Sequence, residues 1–245
     1  MGRARLFPRL GSVPCPTTVV DNKNNNSSLS LHKPFVSLAV VGMLLDSTRD
    51  YIFMTRRPCY MRSFPGAWVF PGGGVDPHES LSHAMSRELR EETGLVVAAD
   101  EQEHLTWNVE SVWESVYPTQ EQKGEDYTML AHHIVVYLSA QLNYEQEFNL
   151  CPEEVDAGAW LSRENVGEIL KYSGALQDGV TPQSSSTTTL QVQSRASTSL
   201  RHETTEILLN ELYGIYPNEN QMRGLAQGSL FALEEFCKST WDISG

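Results

Sequence analysis

The segment from Gly72 to Leu95 constrains this chain more than any other, because it joins three consecutive glycines to a helix whose inward face changes chemistry halfway along. Asp76 at N-cap, Pro77 at the first helical position and Glu79 two residues later form a variant of the capping box, and Gly94 supplies the stop, so a helix is expected over 77–93. At 3.6 residues per turn, Leu81, Ala84 and Met85 make an apolar stripe over the first two turns. One heptad further on the same stripe carries Glu88, Glu91 and Glu92. Carboxylates spaced i, i+3 and i+4 repel one another by about 0.2–0.5 kcal/mol per pair in water, and burial raises that cost steeply. Mg²⁺ or Mn²⁺ relieves it, since both prefer hard oxygen ligands. A solvated acidic patch balanced by Arg87 and Arg90 is the other reading of the same spacing.

The surrounding sequence alternates strand-like and helical patterns. Apolar, β-branched runs at 35–45 and 51–57, a short one at 68–70, and others at 107–117, 130–138 and 155–161 read as strands. A second helix is expected over 162–172. Interleaving of this kind predicts an α/β fold, a sandwich around a mixed β-sheet. Residues 1–33 read as a flexible leader, 34–173 as the domain, and 174–202 as a low-complexity Ser/Thr/Gln linker. Removing 175–202 is expected to leave activity nearly unchanged. Residues 203–245 read as a helical tail that packs on the domain.

Net charge is −13, but residues 1–75 carry nine basic against three acidic side chains and the remainder nine against twenty-eight. So acidic a chain is a poor binder of extended nucleic acid, whose affinity comes from neutralised phosphates. A phosphorylated small molecule is compatible with it when metal ions screen the carboxylates. No stretch reaches the roughly 18 apolar residues of a membrane helix. Four scattered cysteines exclude a zinc ribbon or disulfide scaffold and fit a reducing compartment. The cytoplasm is the expected address, with mitochondria or peroxisomes as alternatives. Arg3, Arg5 and Arg9 faintly resemble a transit peptide, but prolines at 8, 14 and 16 favour a solvated leader.

Gly73, Glu79, Arg87, Glu88, Leu89, Glu91, Glu92, Gly94 and Leu95 match the pattern GX5EX7REUXEEXGU without a departure. Nine defined positions across 23 residues make the chain resemble the Nudix hydrolases. The resemblance implies a Nudix-type α/β/α sandwich and cleavage of a diphosphate linkage between a nucleoside and another group. It further implies Mg²⁺ or Mn²⁺ held by Glu88, Glu91, Glu92 and the Gly73 carbonyl, with Glu79 and Arg87 keeping loop and helix in register. A carboxylate of the cluster or of a later loop would take the proton from water. Glu125, Asp126, Glu153 and Glu154 are the later-loop candidates.

Upstream, Thr55, Arg57, Arg62, Gly66, Phe70, Pro71, Gly72 and Gly73 resemble the array of Nudix coenzyme A diphosphatases, with Phe53-Met54 and Pro58 as departures. Arg56, Arg57 and Arg62 are candidate phosphate contacts. The runs at 113–118, 132–138 and 228–233 resemble the motif 17 branch of the family, which implies a capped RNA 5′ end bearing N7-methylguanosine as substrate. Coenzyme A and NAD(H) are the alternative substrates, although the zinc ribbon and SQPWPFPxS array of the NADH enzymes are missing. A binding module that senses a nucleotide without cleaving it is the alternative class, and the intact acids argue against it. Tyr60, Trp113 and Tyr117 are candidates for stacking on a base, with core packing as the rival role. His132 and His133 should face opposite sides of their strand.

Overall fold

The computed structural model describes residues 36–61, 63–95, 105–117, 131–143, 148–177, 188–194, 203–212, 215–216 and 224–242. The leader, Arg62, Glu125 and Asp126 lie outside them. Strand β1 (Val36–Leu45) runs parallel to β6 (Ala131–Gln141) along its whole length. On its other side β1 pairs antiparallel first with β4 (Gly72–Gly74) and then with β2 (Tyr51–Arg56). Strand β3 (Trp68–Val69) fills the gap where β1 and β2 diverge, pairing with the far end of β2. Beyond β6 lies β5 (Asn108–Tyr117), and β7 (Ala157–Ser162) pairs with the outer edge of β2. The result is a mixed sheet with helices on both faces, as the alternating pattern leads one to expect.

Side chains alternate across β1, and the two faces build two cores. Val40 and Leu44 pack with Ala84, Met85 and Leu89 of helix α1 (Leu81–Thr93). Met43 and Leu45 face the other way, toward Val166, Ile169 and Leu170 of helix α2 (Arg163–Gln177) and toward helix α3 (Gln227–Phe236). A single wide turn, Cys237–Trp241, extends α3 and buries Trp241.

Helix α1 starts one turn later than its capping signal suggests. His78 adopts a left-handed φ of 69°, which a helix cannot accommodate, and Ser80 becomes the N-cap, accepting from the His83 N–H at 3.2 Å. Asp76 and Glu79 still engage each other, the Asp76 N–H donating to Glu79 Oε2 at 3.1 Å, but within the preceding turn. The C-terminus is where it was expected, with Gly94 at φ 69° and its N–H returned to the Arg90 carbonyl.

The segment read as linker is structured in part. Residues 174–177 continue α2, and Thr189–Ser194 form β8, which pairs antiparallel with β7 and with β9 (Glu203–Leu208). Composition hid this strand because its burial rests on two side chains, Leu190 and Val192, alternating with polar ones. The tail is likewise not simply helical. A 3₁₀ turn (Leu209–Leu212), β10 (Ile215–Tyr216) and β11 (Leu225–Ala226) precede α3, and Leu225 extends the sheet beside Trp68 of β3. No helix of the described residues is long and apolar enough to cross a membrane.

Candidate active site

The acids of α1 meet the glycines of β4. Glu88 and Glu92 are buried, 8% and 6% exposed, on the same face as Ala84, Met85 and Leu89. The Gly72 N–H donates to Glu92 Oε2 at 3.1 Å. A Cβ built on Gly73 would lie 2.5 Å from Glu88 Oε1, so only glycine admits that carboxylate. Glu91 departs from the expected shared face, its side chain being 50% exposed. Positions four apart lie closest on a helix surface, so Glu91 falls in line with Arg87, while Glu88 falls in line with Glu92.

Arg87 ties the ensemble together. Its guanidinium donates to both Glu79 oxygens (3.1 and 3.0 Å), to Glu88 Oε1 (2.7 Å), to Glu91 Oε2 (3.2 Å) and to the Gly74 carbonyl (2.8 Å). Helix, turn and β4 are thereby locked in one register. Glu79 answers to this partner, its carboxyl held below the usual range first by the Arg87 hydrogen bond. Glu88 moves the other way, because burial raises its carboxyl more than Arg87 lowers it. Burial pushes Glu92 up to about 8, with the Gly72 N–H pulling back and the charges of Glu88 and Glu154 adding to the rise. Arg87 is bonded to Glu88, and Glu92 has only the charge of Arg57 to set against burial, so ionising both carboxylates leaves negative charge poorly balanced.

The last turn of α1 recruits a second loop. Carbonyls there have no partner within the helix, and two are met from outside: the Asn149 N–H donates to Thr93 O at 2.7 Å and the Cys151 N–H to Glu92 O at 2.8 Å. That staple brings Glu154 within electrostatic reach of both Glu88 and Glu92. Glu153 instead accepts from the Cys151 thiol at 3.2 Å. Sequence spacing alone left these two acids equal, since nothing local announces the staple.

The upstream arginines divide. Arg57 donates to the Ser63 carbonyl at 3.0 Å and hydroxyl at 3.3 Å, and its charge is felt by Glu92. Arg56 turns away: it donates to Asp156 at 2.7 Å, lies 3.6 Å from Glu211 and sits over the Trp68 ring, an arrangement of the sheet rather than of the acidic face. Trp113 packs on Phe231 of α3 at a ring separation of 5.2 Å, so the core claims it. Gly228 makes that docking possible, because a Cβ there would meet Tyr137 Oη at 2.5 Å. Tyr117 ends β5 opposite Ala131. His132 is buried with its Nε2 2.8 Å from Glu114, while exposed His133 bonds Ser37, so the two do face opposite sides.

Among the described residues no three His, Cys, Asp or Glu side chains converge as a ready cage. The donors that are present nonetheless suit a hard dication: oxygens only, pressed on a glycine backbone, with charge in excess of the available arginine.

A NUDIX domain profile matches residues 36–182, more than half the chain and all the elements just described around α1. The chain belongs to the NUDIX family. Among relatives of the Nudix chain, the m7GpppN-mRNA hydrolase NUDT17 of Xenopus laevis is 34% identical over 190 residues, covering 74% of this chain and 59% of that protein. Its namesake from Danio rerio is 36% identical over 155 residues, 60% of this chain and 50% of that one. The Nudix chain thus spans half to three fifths of the length of these two relatives. The crystal structure of a MutT protein from Methanosarcina mazei Go1 is similar at 22% identity and a TM-score of 0.40, over 56% of this chain and 83% of the other.

Proposed function

We propose that this Nudix protein is a metal-dependent hydrolase that cleaves the diphosphate linkage between a nucleoside and another moiety, with the N7-methylguanosine-capped 5′ end of RNA as the substrate. The reading is carried by the buried pair Glu88 and Glu92 set against the β4 backbone with too little positive charge beside them. The name of the relatives, m7GpppN-mRNA hydrolase, supports the choice of substrate over coenzyme A or NAD(H).

Glu88, Glu91, Glu92 and the Gly73 carbonyl would hold Mg²⁺ or Mn²⁺. When bound, such an ion neutralises the bridging phosphates and makes hydroxide accessible at neutral pH. The protein's own part is positional. Arg87 keeps helix and loop in register and does not reach outward. Arg57, whose charge lowers the Glu92 carboxyl, is assigned to a phosphate oxygen. Arg62 is assigned to the substrate on the strength of the sequence array, and Tyr117 as an aromatic residue able to stack on a base. Glu154, brought over the end of α1 by the Cys151 staple, accepts the proton of the attacking water.

The test is turnover of a capped RNA, coenzyme A, NADH and ADP-ribose with Mn²⁺, products separated, in wild type and in Glu88→Gln, Glu91→Gln and Glu92→Gln. Loss of several kcal/mol of charge stabilisation means a fall in kcat of about 10³-fold for the two buried positions, with the circular dichroism unchanged. Undiminished turnover in all three variants would sink the assignment.

A further inference from the structure

Tyr60 is the most exposed large apolar side chain among the described residues, at 72%, and yet it is anchored. Its hydroxyl donates to the Pro152 carbonyl at 2.7 Å, across 92 residues of sequence. So little of the ring leaves water that it contributes little to folding by burial, while holding it still costs side-chain entropy. A fixed ring with an open face is the form a stacking platform takes, because the ordering is complete before a ligand arrives.

The two segments that the ring joins are those that flank the acidic face. On one side, residues 57–61 and 63–67 close on each other: the Arg57 N–H donates to Ala67 O, the Gly66 N–H to Arg57 O, the Met61 N–H to Pro58 O and the Ala67 N–H to Phe64 O, all at 3.0–3.2 Å. Arg57, at its base, sends its charge toward Glu92. On the other side, Pro152 stands between Cys151, whose N–H is bonded to the Glu92 carbonyl, and Glu154, whose charge reaches Glu88 and Glu92. The ring is therefore mounted at the rim of the proposed reaction centre.

We propose that the open face of Tyr60 stacks on the heterocyclic base of the nucleotide substrate, leaving the phosphates to run past Arg57 toward Glu88 and Glu92. Any base offers a π-face to such a platform, and an aromatic partner adds affinity without a hydrogen-bond code. Tyr60 is a binding residue in this scheme. The proposal rests on the substrate being a nucleotide, as argued above.

Two measurements on the full chain, with Tyr60→Phe and Tyr60→Leu, test it. The first is calorimetric binding of the methylene-bridged analogue of guanosine diphosphate, with ribose 5-diphosphate as the base-free control. The second is KM and kcat for the capped substrate with Mn²⁺. Stacking of one base corresponds to about a 10-fold loss of affinity in Tyr60→Leu, mirrored in KM, with kcat and base-free binding unchanged. Tyr60→Phe, which keeps the ring and loses the bond to Pro152, is expected to stay within about 3-fold of wild type. Wild-type affinity in Tyr60→Leu overturns the proposal. So does equal weakening of the base-free control, or a Phe variant as poor as the Leu one, since either reduces Tyr60 to a tie between loops. Binding that depends on Tyr60 without any turnover leaves the platform standing and removes the hydrolase reading; a wild type that neither binds nor cleaves removes both.

Discussion

At Glu92, desolvation by burial outweighs a backbone hydrogen bond from Gly72 and the charge of Arg57, and the carboxyl rises from 4.5 to about 8. The consequence for stability has a definite sign. Below pH 4.5 the carboxyl is protonated in folded and unfolded chain alike, and burial is neutral. Between 4.5 and about 8 the unfolded chain releases its proton while the folded one keeps it, so stability falls as pH rises; above that window the loss is complete. Glu88, raised for the same leading reason, acts in the same direction. In chelator, the protein is thus expected to melt at a lower temperature at a pH of about 8.5 than at about 5.5, and Glu92→Gln should narrow the gap. Adding Mg²⁺ or Mn²⁺ should restore stability at the higher pH, since a dication favours the ionised form. Thermal unfolding at the two pH values, with and without metal, checks this; a gap unaffected by Glu92→Gln would place its origin elsewhere. The acids themselves were legible in the sequence. That Glu91 is the exposed member was not, because a helix stripe is wide and only the packed neighbour decides where its border falls.

The approach of α1 to β4 is the element-scale counterpart. The three consecutive glycines form a strand paired with Ala39, Val40 and Val41. Gly73 is glycine because a carboxylate occupies the space of its Cβ. Gly73→Ala is expected to fold, since the clash is with the far end of a side chain that can swing, at a stability cost of about 1–2 kcal/mol. Glu88 would be displaced, however, and a misplacement of about 1 Å lowers kcat by about 10²-fold. Measuring kcat with Mn²⁺ beside the melting temperature separates the two effects. Full activity would mean that Glu88 need not lie on the β4 backbone. The helix terminus shows how local signals compete: Asp76, Pro77 and Glu79 form a competent cap, but the left-handed backbone at His78 moves the first turn to Ser80.

For the whole molecule, β8 and β9 change what the chain past residue 173 is for. Leu190 and Val192 are buried in the core shared by α2 and α3, and β8 covers the edge of β7. Excising residues 189–208 removes both side chains from that core, a loss of about 3–6 kcal/mol at 1.5–3 kcal/mol each, a large fraction of the about 5–15 kcal/mol that holds an ordinary domain together. The expected outcome is a protein that melts far below the full chain or fails to fold, read by calorimetry. A truncated chain as stable as the parent would return the segment to linker status. Periodicity along the chain was enough to lay out β1, β2, β5, β6, β7 and both flanking helices, and the carboxylate spacing on α1 announced the chemistry, because each of these depends on neighbours within a few residues. The strands β8 to β11, the approach of the Glu154 charge to Glu88 and Glu92, the diversion of Arg56 to Asp156 and the mounting of Tyr60 on Pro152 were decided only in three dimensions. Each depends on a partner from 9 to 157 positions away along the chain, and no local pattern records a contact whose energy exists only after the chain has closed on itself.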